Sequence, residues 1–329
     1  MKVIVTFSGG KDSIAALLWV KNNMTKKFTT VFCDTGWESE ITYKYIQEVN
    51  EQLGLNLITL KSKKYDGMID LAEKKGRFPS TKARFCTEEL KSKPMVDYLL
   101  DEVKEHCLVI QGIRGDESSA RALMNKQCRY FKYYFEPYQT NTLIVERLSK
   151  IPVLSLSQKV NLKTAQDRLA KGKNDEKFHT YRKKEVIQFC EKYMDDLLRP
   201  VFEWSGQDVI DYSILNGIQP NPLYSKGMSR VGCFPCIMCN QGEILSLINH
   251  FPERLKEIQA IEERLGSTFF KPNYIPERFR TGIIVNKKGK TVRFSRAIDV
   301  ENYVKSKNAT LDMFDPEPTS CMSFYGTCE

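Results

Sequence analysis

The segment Met1-Lys2-Val3-Ile4-Val5-Thr6-Phe7-Ser8-Gly9-Gly10-Lys11-Asp12-Ser13 runs an apolar strand straight into a glycine pair, a lysine and a hydroxyl. Val3, Val5 and Phe7 alternate with Ile4 and Thr6, so the run is apolar on both faces, as a buried parallel strand requires. Ile14, Leu17, Leu18 and Lys21 then recur at helical spacing. Between strand and helix, glycines without Cβ atoms let bare amides approach an anion, and Lys11 and the helix dipole add positive charge. Strand, loop and helix together make a phosphate cradle. Its spacing matches neither the Walker loop nor the dinucleotide fingerprint G-x-G-x-x-G.

The alternation continues. Thr29 to Cys33 is a second strand ending in Asp34-Thr35-Gly36, a helix is expected from Ser39 to about Leu53, and Leu55 to Leu60 is a third strand. Helical patterns near Tyr65 to Lys75 and Glu88 to Glu105 lead to a fourth strand, Cys107 to Gln111, followed by Gly112-Ile113-Arg114-Gly115-Asp116-Glu117. The expected fold class is α/β, a doubly wound parallel sheet covered on both sides. Ligands of such sheets gather at the carboxyl ends of strands, where the Ser-Gly-Gly loop, Asp34 and Arg114 all fall. They are expected to share one crevice.

The chain has 329 residues and a formal net charge of +9, enough length for a full core with additions. It shows no long apolar span and no cleavable leader, so a cytoplasmic location without membrane partners is expected. From Lys126 to Lys184 the alternation fails, and 14 Lys and Arg face 5 Asp and Glu, so this stretch alone matches the whole chain's positive excess. It includes Arg129-Tyr130-Phe131-Lys132-Tyr133-Tyr134-Phe135, aromatics interleaved with cations, the pattern of surfaces that stack and neutralise DNA or RNA strands. An inserted subdomain with a solvated charged face has the same composition, and both readings stand.

Four units are expected: a nucleotide-binding core over 1–125, a basic aromatic insertion over 126–198, completion of the core with a cysteine motif over 199–245, and a C-terminal region over 246–329. Ser205, three residues before Asp208, starts a helix through Leu215. Pro252 to Leu265 is a helix closed by Gly266, and Ile283 to Val285 with Thr291 to Phe294 forms a hairpin around Asn286-Lys287-Lys288-Gly289. A linker-like tail, Asp315-Pro316-Glu317-Pro318, delivers Cys321 and Cys328.

Ser8 to Ser13 resembles the pyrophosphate loop (PP-loop) of ATP pyrophosphatases, which cut ATP between its α and β phosphates. With Asp34-Thr35-Gly36-Trp37-Glu38, Arg84-Phe85-Cys86-Thr87-Glu88-Glu89-Leu90-Lys91, Gly112 to Glu117 with Arg121, and Asn221-Pro222-Leu223-Tyr224 followed by Arg230 to Cys236, the chain resembles one family. That family is the 3'-phosphoadenylylsulfate reductase-like branch of the adenine-nucleotide α-hydrolase fold. The resemblance covers residues 1 to about 125 and about 199 to 245. It implies that Ser8, Gly9, Gly10, Lys11, Asp12 and Ser13 hold phosphates, that Asp34, Thr35 and Gly36 face the nucleotide, and that Lys82, Arg84, Gly112 and Arg114 ring the anionic end. Fixed cations there suit a phosphate-bearing ligand, and arginine offers a planar fork. Asp116 and Glu117 would orient arginines such as Arg121 or meet Mg²⁺ through water, or serve as ordinary acids at a helix start. Asp12 has the same two readings. The lysine in the loop points to ATP itself, and the ending Tyr325-Gly326-Thr327-Cys328-Glu329 departs from the reductase tail. The pattern is closest to ATP-using sulfur-transfer proteins that include DNA phosphorothioation enzymes and their phage-borne relatives.

Ten cysteines without a secretory context point to metal or redox chemistry. Cys233, Cys236 and Cys239 stand as C-x-x-C-x-x-C, which lets three thiolates converge. By the resemblance Cys86 would complete the set, with Cys321 or Cys328 as alternates. All-thiolate ligation fits Zn²⁺ or an iron-sulfur cluster, and the resemblance favours a 4Fe-4S cluster. Cys33, Cys107 and Cys190 read as buried apolar residues.

The expected function is therefore adenylylation of an acceptor by ATP with Mg²⁺, through Lys11, Asp12 and Arg114, followed by sulfur transfer. A cysteine desulfurase or other sulfur donor would be a partner. Two alternatives have different tests. Sulfonucleotide reduction would use Cys328 as nucleophile, and a nucleic-acid-binding component would use its nucleotide site as a switch.

Overall fold

The computed structural model describes residues 1–285, 289 and 291–314, with side chains to residue 308. The strands are β1 Lys2–Thr6, β2 Thr29–Cys33, β3 Leu57–Leu60, β4 Cys107–Ile110, β5 Gln127–Arg129 and β6 Asp195–Leu198. They form one sheet in the order β3-β2-β1-β4-β6-β5. Every neighbouring pair is parallel except β5 with β6, where the edge strand is reversed. The fold is the expected α/β parallel sheet.

Successive strand residues point to opposite faces, and both faces are buried. Val3, Val5, Phe7, Leu108 and Ile110 pack against α1 (Lys11–Asn23) and α2 (Glu40–Leu53). Ile4, Val31, Cys107 and Val109 face the other way, onto Met95, Leu99, Val186 and Phe189. Ser39 caps α2 by accepting the Ile41 N–H, and Gly54 ends it in the left-handed region. Between β3 and β4 the chain forms α3 (Met68–Lys75) and then a helical run over 85–103 containing two π-helical stretches, Glu88–Ser92 and Leu99–Val103.

The stretch 126–198 supplies β5, β6 and the helix Lys183–Lys192 to the sheet and its core. Strand β6 was not legible because it opens with Asp195 and Asp196. Asp195 is buried as an acceptor, taking the Phe131 N–H at 2.8 Å and the Arg129 Nε–H at 3.0 Å. Phe131 and Tyr134 are core residues, whereas Tyr133 and Phe135 are exposed, so the aromatic run divides between two roles.

The expected helices Gly206–Leu215 and Pro252–Leu265 are present, the first with a Ser205/Asp208 capping box. The helices Gln241–His250, Pro252–Leu265 and Ala297–Phe314 build a separate apolar cluster with α3 and Trp37. A hairpin of β7 (Gly282–Val285) and β8 (Thr291–Phe294) matches expectation. Its turn residues Asn286, Lys287 and Lys288 lie outside the described residues, as do Cys321, Cys328 and the rest of the tail from Asp315. Among the described residues no helix is long and apolar enough to cross a membrane.

Candidate functional site

The phosphate loop is built by its own atoms. Gly9 is left-handed at φ 73°, and a Cβ there would come within 3.0 Å of Ile46. The Ser13 hydroxyl donates to the Gly10 carbonyl at 2.8 Å and accepts the Ser8 N–H at 3.2 Å, which ties the turn to the first turn of α1. The Tyr224 phenol, buried beside the loop, accepts the Lys11 N–H at 3.0 Å, while Asn221 donates to the Gly9 carbonyl at 3.4 Å. The Asn221-Pro222-Leu223-Tyr224 block therefore braces the cradle from more than two hundred residues away in sequence.

Arg114 lies at the carboxyl end of β4 and is only 4% exposed. Its Nε donates to Asp12 at 2.7 Å, and its Nη1 donates to both Asp116 oxygens at 2.7 and 2.6 Å. Burial pushes the Asp12 carboxyl above its ordinary value, and the Arg114 charge pulls it back only part of the way. The backbone at Gly112 passes so close to α1 that a Cβ would sit 2.3 Å from the Asp12 carbonyl oxygen, which gives this glycine a packing role. Glu117 pairs with Arg121, and Arg230 approaches it at 4.0 Å. Of the expected site cations, Arg114 and Arg121 thus have acidic partners already in place.

Asp34, at the end of β2, accepts from Tyr43 at 2.6 Å and from the Gly36 N–H at 2.9 Å, and pairs with Lys61 at 3.2 Å. Burial raises its pKa, but these three partners outweigh it and hold the carboxyl below its ordinary value. A cavity of about 300 Å³ opens beside it, lined by Asp34, Gly36, Lys61, Ser62, Lys63 and Tyr65 among others. The cavity walls do not include residues 8–13. Lys82 and Arg84 are exposed on the loop before the Phe85–Thr87 turn, and Arg84 donates to Thr87 at 3.4 Å.

The cysteine loop is pinned to the segment that follows β2. Glu38 and Cys233 form a backbone bridge, the Phe234 N–H donates to the Trp37 carbonyl at 2.8 Å, and the Trp37 indole donates to the Pro235 carbonyl at 3.0 Å. Arg254 lies 3.6 Å over the Trp37 ring and donates to the Phe234 carbonyl at 2.6 Å. Glu243 holds the loop's two ends, accepting from Ser229, from the Arg230 N–H and from the Asn240 N–H, the last within a capping box. Cys86, Cys233, Cys236 and Cys239 pack on one apolar cluster, and Cys236 exerts an electrostatic effect on each of the other three. Burial raises the Cys86, Cys233 and Cys239 thiols, and the half-buried Lys91 draws Cys233 back. Among the described residues no three His, Cys, Asp or Glu side chains are arranged to hold a metal ion. The four-thiol donor set nevertheless suits zinc or an iron-sulfur cluster. Cys107 is fully buried as expected, whereas Cys33 and Cys190 are half-buried and pushed up to about 11 and about 12 by burial.

Lys91 is the residue the sequence did not mark by role. Its ammonium lies within electrostatic reach of Cys233, Glu38, Cys33 and Cys236, which together raise its pKa against its burial. Thr35 joins the two halves of the site: its hydroxyl donates to Glu38 at 2.8 Å and lies 3.7 Å from the Cys233 sulfur.

Residues 2–239 match the family defined by the phosphoadenosine phosphosulfate reductase domain. The chain belongs to that reductase-domain family. An uncharacterised 37.8 kDa protein of Escherichia phage 186 is 28% identical over 84% of this family member and 80% of its own length. Among solved structures, the Candida auris phosphoadenylyl-sulfate reductase in a phosphate complex is similar at a TM-score of 0.41, with 14% identity, covering 72% of this chain and 83% of that one. The U34-tRNA thiolase of Methanococcus maripaludis with its 4Fe-4S cluster gives 0.38, with 12% identity, covering 92% and 81%. The blocks at Ser8, Asp34, Arg84, Gly112 and Cys233 all lie within the matched residues.

Proposed function

We propose that this reductase-domain protein uses ATP to adenylylate an acceptor for sulfur transfer, with nucleic acid as the acceptor. The observation that carries the reading is the segment 34–38. Asp34 stands at the carboxyl edge beside the phosphate loop's strand, while Glu38 of the same turn is bridged to Cys233. A nucleotide and a sulfur-bearing thiol group would meet across one short stretch of backbone.

Attack of an acceptor oxygen on the α phosphorus would form an O–P bond as the α–β phosphoanhydride breaks, and pyrophosphate would leave towards Ser8–Ser13. Loop amides and Lys11 would receive the charge that develops on the leaving group, and Arg114 would hold Asp12 and the loop in register. Sulfide delivered by a donor protein would then form the sulfur–acceptor bond, losing its proton to solvent, as the acceptor–oxygen bond breaks and AMP departs with that oxygen. Mg²⁺ bound with ATP would neutralise phosphate charge, with Asp116 and Glu117 as candidate second partners. Cys86, Cys233, Cys236 and Cys239 would hold a 4Fe-4S cluster, which supplies a soft, sulfur-binding centre when present; zinc would need the same thiols. The lysine in the loop favours ATP over a sulfonucleotide.

Pyrophosphate release from MgATP in the presence of single-stranded or duplex nucleic acid tests this reading. It is expected with the wild-type chain and lost on Lys11→Ala. Absence of release with every acceptor, or an unchanged rate in Lys11→Ala, would sink it. Anaerobic purification with iron, sulfide and zinc analysis tests the thiol centre, which Cys236→Ser should empty.

A further inference from the structure

Outside the nucleotide and thiol regions, the chain between β5 and β6 builds an arm with two distinct surfaces. Its helices, Asn141–Ser149 and Leu156–Ala170, pack on each other through Ile144, Leu148 and Ala165 in a small cluster of their own. Arg147, Lys150, Lys159, Lys163, Lys171 and Lys173 are all exposed, and among the described residues none has an ion-pair partner. A solvated surface helix usually intersperses both signs of charge. On these two helices four exposed cations, Arg147, Lys159, Lys163 and Arg168, outnumber two exposed acids, Glu146 and Asp167, so the surface is net positive.

The root of the arm carries a ring cluster. The Tyr138 and His179 rings stack at 5.0 Å with an interplanar angle of 20°, and Tyr133 meets both edge-on at 6.5 and 6.0 Å. Tyr133 and Tyr138 are 40% and 44% exposed. Their backbone is fixed, because the His179 N–H donates to the Tyr133 carbonyl at 3.0 Å and the Tyr138 N–H donates to the Lys177 carbonyl at 2.9 Å. Exposed rings held this firmly lose little freedom when a flat ligand stacks on them. On its inner side the cluster meets the Tyr134 ring, 5.8 Å from His179, and the Tyr134 phenol donates to the Tyr181 carbonyl at 2.9 Å. The Tyr181 phenol donates in turn to Asp97 at 3.1 Å, on the helical run over 85–103 that also bears Cys86.

We propose that Tyr133, Tyr138 and His179 form a stacking platform for an unpaired nucleobase, with the phosphodiester strand continuing along the cations of the arm. The charge decides the ligand class. Aromatic clusters also take organic cations, but an adjoining excess of unpaired lysines repels a cation and attracts a polyanion. Single strands fit better than duplex, because only an unpaired base offers its face to a ring. The platform would present the strand beside the helix that bears Cys86. This inference rests on the reading that the acceptor is a nucleic acid.

The test uses the full chain and labelled DNA and RNA single strands of about 12 nucleotides, with their duplexes, followed by fluorescence anisotropy across salt concentrations. Both single strands are expected to bind more tightly than duplex. Tyr138→Ala should weaken binding about tenfold or more with an unchanged salt slope, and Tyr138→Phe should restore it. Lys150→Gln with Lys159→Gln should instead make the salt dependence shallower by roughly one to two in the log-log slope. A strand carrying 2-aminopurine gives a direct readout, since its emission should be quenched on the wild-type protein. Preference for duplex, absence of quenching, or Tyr138→Ala binding like wild type would overturn the platform. Pyrophosphate release is measured on the same samples. Its loss with quenching intact would fail the sulfur-transfer reading alone, and its presence without quenching would fail only the platform.

Discussion

The phosphate loop and the cysteine loop lie at the carboxyl edge of one sheet, yet they handle buried charge in opposite ways. At the phosphate end the cations already have acids: buried Arg114 holds Asp12 and Asp116, and half-buried Arg121 holds Glu117. At the thiol end half-buried Lys91 lies near Cys33, Cys233 and Cys236 with a single carboxylate, Glu38, which is itself shared among four hydrogen-bond donors. The first end is charge-balanced and acts as a rigid frame. The second sets one cation among thiols whose ionisation burial opposes.

The most damaging way to break the contrast is Arg114→Ala. It leaves Asp12 and Asp116 without their shared cation, and removal of one partner from a buried pair destabilises by about 3–5 kcal/mol. Urea denaturation of the variant should show that loss, and adding Asp12→Asn should recover part of it. A loss below about 1 kcal/mol would mean that the frame is not held by charge. Lys91→Met should cost less, about 2 kcal/mol, because Glu38 keeps its bonds from Thr35, Trp37 and Tyr43. A Lys91→Met loss equal to that of Arg114→Ala would erase the distinction between the two ends.

The legibility of these ends in the sequence follows from how local their causes are. Strands β1, β2 and β4 were readable because apolar residues on both faces have no other use, and the phosphate loop because glycine, lysine and hydroxyl act within one turn. Strand β6 was hidden because Asp195 is made burial-worthy only by Phe131 and Arg129, far away in sequence. Arg114 was found by its place after a strand, but its engagement with Asp12 required the fold. Lys91 carries no local mark at all, since its partners come from residues 33, 38, 233 and 236. Glu243 does carry one: Asn240, three residues before it, has capping-box spacing.

Tyr224→Phe sharpens the comparison at smaller amplitude. The buried phenol oxygen is the acceptor for the Lys11 N–H, so its removal should cost about 1 kcal/mol by thermal unfolding. The cysteine content and any bound metal should be unaffected, because the change touches only the phosphate frame. A drop in bound metal would show that the two loops are coupled rather than independent.

The smallest expected effect separates two carboxylates by the sign of their pH dependence. Asp34 sits below its ordinary value of 3.8, so it contributes stability above that pH, and the contribution is lost as pH falls below 3.8 through its folded value. Asp12 sits above 3.8, so its protonated form is favoured by folding, and stability is lost as pH rises from 3.8 through its folded value. Asp34→Asn should therefore flatten the acid limb of a melting-temperature profile, and Asp12→Asn the limb above it. Solvent screening keeps the Asp34 term below about 1 kcal/mol, so the profile rather than a single temperature is the measurement. Both variants flattening the same limb would show that the Arg114 frame and the Asp34 turn titrate as one network, and the charge-balanced end would then extend across β2.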